Sequence, residues 1–256
     1  MRYVKRVIKS ILISVGLWPR LRAFVRTIRG RNEPEVALLK YLVPSDKVAI
    51  DIGANDGAYT FALLGITTKV VCVEPNPDYL KELEAQFGGR IDLIRAALSD
   101  MEGTAELHIP VGAALDESLA TIESNNPIAK SNCRQVSVPL KRLDGLGLDN
   151  VGFIKIDVEG HEEKVVRGGE SLIRRCRPTF LIEVENRHRT NAVSSMCDYM
   201  RQLGYRGLFL NQGILTSASD FDAAEHQSQS DVERLWGGRM PSNRYCNNFV
   251  FLPTSI

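Results

Sequence analysis

The sequence predicts an α/β fold built on a mostly parallel sheet, and three observations carry that expectation. The segments KVAIDIG (47–53), KVVCVEP (69–75), VGFIKIDV (151–158) and PTFLIEVE (178–185) are short runs apolar on both faces, as strands covered on both sides of a sheet must be. Helical stretches alternate with them, which is how parallel neighbours are connected. The first run ends in the strand-to-helix turn DIGANDG, placed where open parallel sheets bind their ligands.

The chain starts with a basic leader. Nine of its 32 Lys and Arg residues, and none of its 31 acids, lie within positions 1–31, so a net charge of +1 divides into about +9 there and about −8 in the remainder. Val4, Val7, Ile8, Ile11, Leu12 and Val15 follow helical spacing, and Leu21, Phe24, Val25 and Ile28 repeat it beyond Pro19. Lys and Arg interleave the apolar face, so no stretch reaches the roughly 20 apolar residues that span a bilayer. No small-residue cleavage site follows, which argues against export. The leader admits two uses: a helical cap on the main domain, or an interfacial helix held to anionic headgroups or an anionic lipid-linked substrate. Nucleic acid is disfavoured, because the rest of the chain is acidic and lacks an interleaved aromatic platform. The expected organisation is a leader over 1–31 and one domain over 32–256.

That domain opens with a helix from Asn32, Glu33 and Pro34 through EVALLKYLV. After the first strand come a helix over Ala58 to Leu64, the second strand, and the helix PDYLKELEAQF, closed by Gly88 and Gly89. DLIRAAL reads as a third strand. GTAELHIP and RQVSVPLKRL read as extended segments around a polar stretch, Ala113 to Asn132. Alternation returns with VGFIKIDV, a helix across EEKVVRGGESLIRRC, then PTFLIEVE, a helix near Ala192 to Leu203, YRGLFL, and a last strand NNFVFLP. The polar stretch Gln212 to Asn248 is long for a connection, and such loops often carry substrate contacts. A charged fraction of 25% and a hydrophobic fraction of 44% suit one substantial core and exclude a disordered chain. The five cysteines form no CxxC pair, so reduced thiols in a cytoplasmic protein are expected, with Cys72 a small core residue.

Two acidic clusters carry the chemistry. In the glycine turn, Gly53 permits a tight turn and Gly57 a close approach. Glu74, at the end of the second strand, can accept hydrogen bonds from ribose hydroxyls. The pattern G-A-N-D-G is not the pyrophosphate pattern G-x-G-x-x-G, and Asp51 and Asp56 place negative charge where a pyrophosphate would sit. A nucleoside with a cationic tail suits the turn better, and S-adenosylmethionine is one. The second cluster is Asp157, Glu159, His161 and Glu162 after the fourth strand, with Glu183 and Glu185 at the end of the next. Asp157 is the first candidate base and His161 the second, and Glu183 is placed to orient an acceptor hydroxyl. Clustered carboxylates also admit a divalent metal such as magnesium, bound by Asp157, Glu183 and a sugar diol, but the sequence lacks a decisive ligand spacing for it. His188, Trp236 and Tyr245 are weaker candidates for the crevice, and His108 and His226 read as structural.

DIGANDGAYT, VCVEPNPDYLKEL, AALSD with EGTAEL, VPLKRLD, FIKIDVEGHEEKVVRGG and RPTFLIEVE occur in this order. Together they resemble the FkbM family of S-adenosylmethionine-dependent methyltransferases, strongly from about Lys47 to Glu185. The resemblance implies a Rossmann-like class I methyltransferase fold, a seven-stranded mostly parallel sheet with the last strand antiparallel. It implies methyl transfer to an oxygen, often a hydroxyl of a sugar or a polyketide-type product. Carried over, Asp51, Gly53, Asn55 and Gly57 line the methionine part of the cofactor, Glu74 binds the ribose, and Ser99 and Asp100 lie beside the adenine. The leading expectation is O-methylation of a glycan, glycolipid or sugar-containing intermediate in the cytoplasm, with the leader reaching the membrane. The alternatives are a soluble polyketide-like acceptor, or a cofactor-binding module without catalysis.

Overall fold

The computed structural model describes residues 33–111, 119–236, 242 and 244–254, so the expectations placed on the leader lie outside the described residues. Strands β1 (Val48–Ile52), β2 (Val70–Val73), β3 (Asp92–Ile94), β7 (Val151–Ile156), β8 (Thr179–Glu183), β9 (Tyr205–Asn211), β10 (Ile214–Ser217) and β11 (Asn248–Pro253) form the central sheet. Their spatial order is β10-β9-β11-β8-β7-β1-β2-β3. β1, β2 and β3 pair in parallel, as do β1 with β7 and β7 with β8. β11 runs antiparallel to both its neighbours, β8 and β9. The chain winds outward from β1 to β3, then returns to the other side of β1 at β7, so the strand order reverses between β1 and β7. Helices α1 (Leu39–Leu42), α2 (Ala58–Leu63), α3 (Pro77–Phe87), α4 (Glu162–Arg167), α5 (Glu170–Cys176), α6 (Ala192–Gln202), α7 (Ala223–His226) and α8 (Gln229–Trp236) complete the described elements, with short 3-10 turns between some of them.

Strand alternation divides the core. Ile50, Ile52, Ile154, Ile156, Phe180 and Ile182 pack on one face with Val165, Val166 and Met196. Ala49, Val70, Cys72, Phe153 and Leu181 pack on the other with Leu63, Leu83 and Phe87. Cys72 is fully buried, as expected of a core thiol.

The structure departs from the expected element list in three places. β10 makes the central sheet eight-stranded rather than seven-stranded. It returns along β9 through Gln212 and Gly213, both at positive φ, the backbone of a two-residue hairpin. Next, DLIRAAL is two strands: β3 stays in the central sheet, while β4 (Ala97–Ser99) joins β5 (Gly103–Pro110) and β6 (Cys133–Arg142) in a second sheet of order β4-β6-β5. Finally, the helix expected over EEKVVRGGESLIRRC breaks at Gly168 and Gly169 into α4 and α5. A side chain at Gly168 would place its Cβ 2.0 Å from the carbonyl oxygen of Ser99, so the break lets the helix pair lie directly against β4. The Asp144 carboxylate then accepts from the amides of Ser171 (3.2 Å) and Leu172 (2.8 Å) and caps the new helix start.

Gly168→Val should therefore force backbone apart and cost about 2–3 kcal/mol or more, in the range of overpacked sites. Gly89→Ala, where an added Cβ meets nothing within 4 Å, should stay within about 0.5 kcal/mol of wild type. Urea unfolding of both variants checks this, and equal losses would refute the packing account.

Candidate active site

The reversal point brings two strand ends into backbone contact. The Asp157 amide donates to the Ile52 carbonyl at 3.0 Å. Gly53 follows Ile52 at φ +78°, and a Cβ there would lie 1.8 Å from the Asp157 carbonyl oxygen. Only glycine lets the turn lie flush against the end of β7. Asn55 is also at positive φ and donates its amide to Glu74 Oε2 at 2.7 Å. Asp51 is buried beneath the turn and accepts from Thr60 Oγ1 at 2.6 Å, while burial pushes its carboxyl up. Gly57 lies outside the lining of either cavity described below; it caps α2, where a Cβ would strike the ring of Phe87 at 2.4 Å.

From this turn an apolar slot runs toward the second sheet, walled by Val73, Ala97, Leu98, Leu107, Ala120 and Ile122. Glu74 lies at its polar end, with Oε1 accepting from the Asn76 amide at 2.8 Å and Oε2 from Asn55. Burial pushes the Glu74 carboxyl up to about 7. Ser99 is buried just behind Leu98 and does not line the slot; its hydroxyl lies 2.9 Å from His161 Nε2 and donates to Asp100 Oδ1 at 3.1 Å. Asp100 is exposed on a neighbouring surface groove. Ser99 and Asp100 thus do not line the slot, whose walls at this end of β4 are aliphatic side chains. β4 has left the central sheet, which carries its end away from the crevice.

His161 lines the slot but not the polar cleft beyond it. Its Nδ1 lies 2.6 Å from Glu123 Oε1, which also accepts from Lys164 Nζ at 2.8 Å. The imidazole and the ammonium hold the Glu123 carboxyl down at about 2. This clasp fastens the segment carrying Ala120 and Ile122 over the slot. Thr121 Oγ1 and Asn126 Nδ2 strengthen it by donating to the Glu159 carbonyl at 2.9 Å and 2.7 Å. Both ring nitrogens of His161, the second candidate base, are occupied, by Glu123 and by Ser99.

A larger polar cleft meets the slot at Gly53, Asn55, Tyr79, Asp157 and Glu159. Among the described residues its lining includes the carboxylates Glu33, Asp51, Asp56, Asp157, Glu159, Glu183 and Glu185, and the cations Lys155 and Arg187. Lys155 is 1% exposed. Its Nζ donates to Asn248 Oδ1 at 3.0 Å, lies 3.8 Å from Asp157 and 4.0 Å from Glu183, and sits 4.9 Å from the centre of the Tyr59 ring. Despite burial, the surrounding carboxylates raise its pKa. The Asp157 side chain stays 31% exposed to the cleft, and desolvation pushes its carboxyl up to about 7 against the pull of Lys155. Glu183 is pushed well above the carboxylate range by burial and by Asp157, and accepts from Asn247 Nδ2 at 2.7 Å. Glu185 pairs with Arg187, which also reaches Glu159 at 3.3 Å.

The structure therefore brings Asp51, Gly53, Asn55, Glu74, Asp157 and Glu183 together. It leaves Gly57, Ser99 and Asp100 outside the two cavity linings. His188 pairs with Glu159 at 2.9 Å and faces the surface groove, and the side chain of Trp236 lies outside the described residues. Glu33, Tyr59, Lys155, Arg187 and Asn247 line the cleft without having been singled out. Lys155 had a signal, a lone charge inside a strand apolar on both faces. Among the described residues no group of three or more His, Cys, Asp or Glu is gathered as metal ligands. The cation that Asp157 and Glu183 do have beside them is the Lys155 ammonium, within 4.0 Å of each.

Comparison with known proteins agrees with this geometry. The chain is 30% identical over 195 residues to the 2-O-methyltransferase NoeI of Sinorhizobium fredii, covering 69% of this chain and 78% of that one. It is 27% identical over 157 residues to the hexuronic acid methyltransferase AglP of Haloferax volcanii, covering 56% of this chain and 58% of the relative. The crystal structure of a methyltransferase FkbM from Methylobacillus flagellatus shares the fold, with a TM-score of 0.52 and 16% identity. That match covers 82% of this chain but only 44% of the longer one. Residues 51–206, more than half of the chain, match the Methyltransferase FkbM domain. The chain belongs to the FkbM family of methyltransferases.

Proposed function

We propose that the protein transfers a methyl group from S-adenosylmethionine to a hydroxyl of a glycan, glycolipid or sugar-containing intermediate. The observation that carries this is the meeting of the apolar slot and the acid-lined cleft at Asp157, which sets an apolar chamber with an acid at its end beside a polar one. One curated relative is named as a 2-O-methyltransferase and the other as a hexuronic acid methyltransferase, which supports a hydroxyl of a sugar as the acceptor. A cleft lined by so many carboxylates offers hydrogen-bond acceptors to a polyol, and little apolar surface to a polyketide.

The residues present fit the methyl donor. The small aliphatic walls of the slot suit a flat base, and Glu74 keeps lone pairs for ribose hydroxyls beyond the two amides it binds. Gly53 lies where slot and cleft meet, with Asp51 and Asp157 beside it to complement a cation. When bound, S-adenosylmethionine supplies an electrophilic methyl on a sulfonium. The chain's own part is to hold the acceptor hydroxyl in line and take its proton. Asp157, with its pKa near neutrality, takes that proton on its carboxylate. Glu183 and Asn247 orient the hydroxyl, and Lys155 keeps the deprotonated Asp157 from standing uncompensated.

Asp157→Asn should lower methyl transfer at least a hundredfold, in line with the usual contribution of a general base, while calorimetric affinity for S-adenosylmethionine is retained. Unchanged turnover would remove Asp157 from this role. Because burial raises its carboxyl to about 7, Asp157 is protonated and inactive below that pH. The value of kcat/KM should therefore climb with pH to about 7 and level off above it, and a flat profile from about pH 5.5 to 8 would contradict the assignment.

No helix of the described residues is long and apolar enough to cross a membrane. The basic leader supports a cytoplasmic enzyme that meets anionic membrane surfaces through residues 1–31. Deleting 1–31 should abolish co-sedimentation with phosphatidylglycerol vesicles, and a truncated protein that sediments as before would end that part of the proposal.

A further inference from the structure

We infer that the acceptor is a neutral sugar, with no carboxylate or phosphate next to the hydroxyl that is methylated. This rests on the glycan reading above and narrows it. Recognition of an anionic sugar calls for a cation able to offer an unshared charge, most often an arginine fork. The cleft holds two cations among its described lining residues, and each already serves internal carboxylates. The Lys155 ammonium is spent on Asn248 at 3.0 Å, with Asp157 and Glu183 at 3.8 Å and 4.0 Å. The Arg187 side chain is 6% exposed and pairs with Glu185 and Glu159. Even leaving aside Asp51 and Glu183, which burial raises toward the neutral form, five acids face those two cations among the described lining residues. An anionic acceptor would have to break one of these pairs or lie among like charges, and repulsion in a partly desolvated cleft exceeds that in water. A neutral polyol meets the same carboxylates as acceptors for its O–H groups and gains from them.

The test uses the full-length protein, S-adenosylmethionine carrying a tritiated methyl group, and two matched pairs of p-nitrophenyl glycosides at pH 8: glucoside with glucuronide, and galactoside with galacturonide. A macrolide alcohol is run alongside. The neutral member of a pair should show at least a tenfold higher kcat/KM than its uronate. Glu185→Gln, which removes one partner of Arg187, should narrow that ratio at least threefold by making a guanidinium available to the uronate. Loss of structure alone would lower both members together and leave the ratio in place. Should this variant not fold, the wild-type ratio still decides. A uronate methylated as fast as its neutral partner, or alone, overturns the inference while the glycan reading stands. Methylation of the macrolide and of neither sugar series overturns the glycan reading, and the inference with it.

Discussion

The Lys155 ammonium stands between the carboxylates of Asp157 and Glu183, with Asn248 as its hydrogen-bond acceptor and the Tyr59 ring beside it. Each partner comes from a different element: β7 and the turn after it, β8, β11 and α2. Removing one member of a buried ion pair typically costs about 3–5 kcal/mol, because the remaining charge has neither water nor partner. Here several acids share one cation, so the arrangement of the cleft depends on it. Without that positive charge, adjacent strand ends could not each deliver a carboxylate to one small volume and keep any of them ionised near neutral pH. The burial that raises Asp157 and Glu183 is tolerable because Lys155 offsets part of it.

Backbone contact fixes where that chemistry happens. The strand order reverses between β1 and β7, and the Gly53 turn touches the Asp157 carbonyl with no room for a Cβ. The cofactor-side turn and the acceptor-side carboxylate are thus one rigid unit rather than two loops that must find each other. The second sheet adds the far wall. β4 departs from the central sheet to pair with β6, and the Glu123 clasp draws the segment with Ala120 and Ile122 over the opening. The slot is enclosed from one side by the main fold and from the other by this appended layer.

The parallel strands and the glycine turn were legible because their causes are local: doubly buried strands are apolar throughout, and a turn that needs positive φ selects glycine or asparagine. Asp51, Glu74, Asp157 and Glu183 were legible for a related reason, as acids closing apolar strands. What escaped depends on distant contacts. The break at Gly168 answers to Ser99, 69 residues earlier in the sequence, and a helical pattern carries no sign of it. β10 hid in a polar stretch because an edge strand need not be apolar; even so, Ile214 and Leu215 are exposed on it. The position of Ser99 and Asp100 outside the slot lining was not legible because one apolar run, DLIRAAL, serves two sheets, and periodicity cannot show where a strand changes partners. Arg187 and Asn247 come from connections between elements, whose side chains are positioned only once the strands around them are in place.

The same desolvation answers two needs of methyl transfer to a hydroxyl. An ordinary aspartate is too weak a base to draw a proton from an alcohol, and a carboxyl raised to about 7 by its surroundings is a better one while still ionised at neutral pH. The surroundings that raise it are the turn at Gly53, the apolar chains of the slot and the neighbouring acids, which also limit the water that can reach the methyl group. Water is a competing acceptor at any open site. By placing Asp157 on the boundary, about one third exposed, the fold leaves its carboxyl reachable where the slot and the cleft meet. Held by both ring nitrogens in the clasp of the slot, His161 contributes to the enclosure around it. The acid that reads in sequence as one member of a cluster is, in the fold, set apart by its position at the join of two chambers.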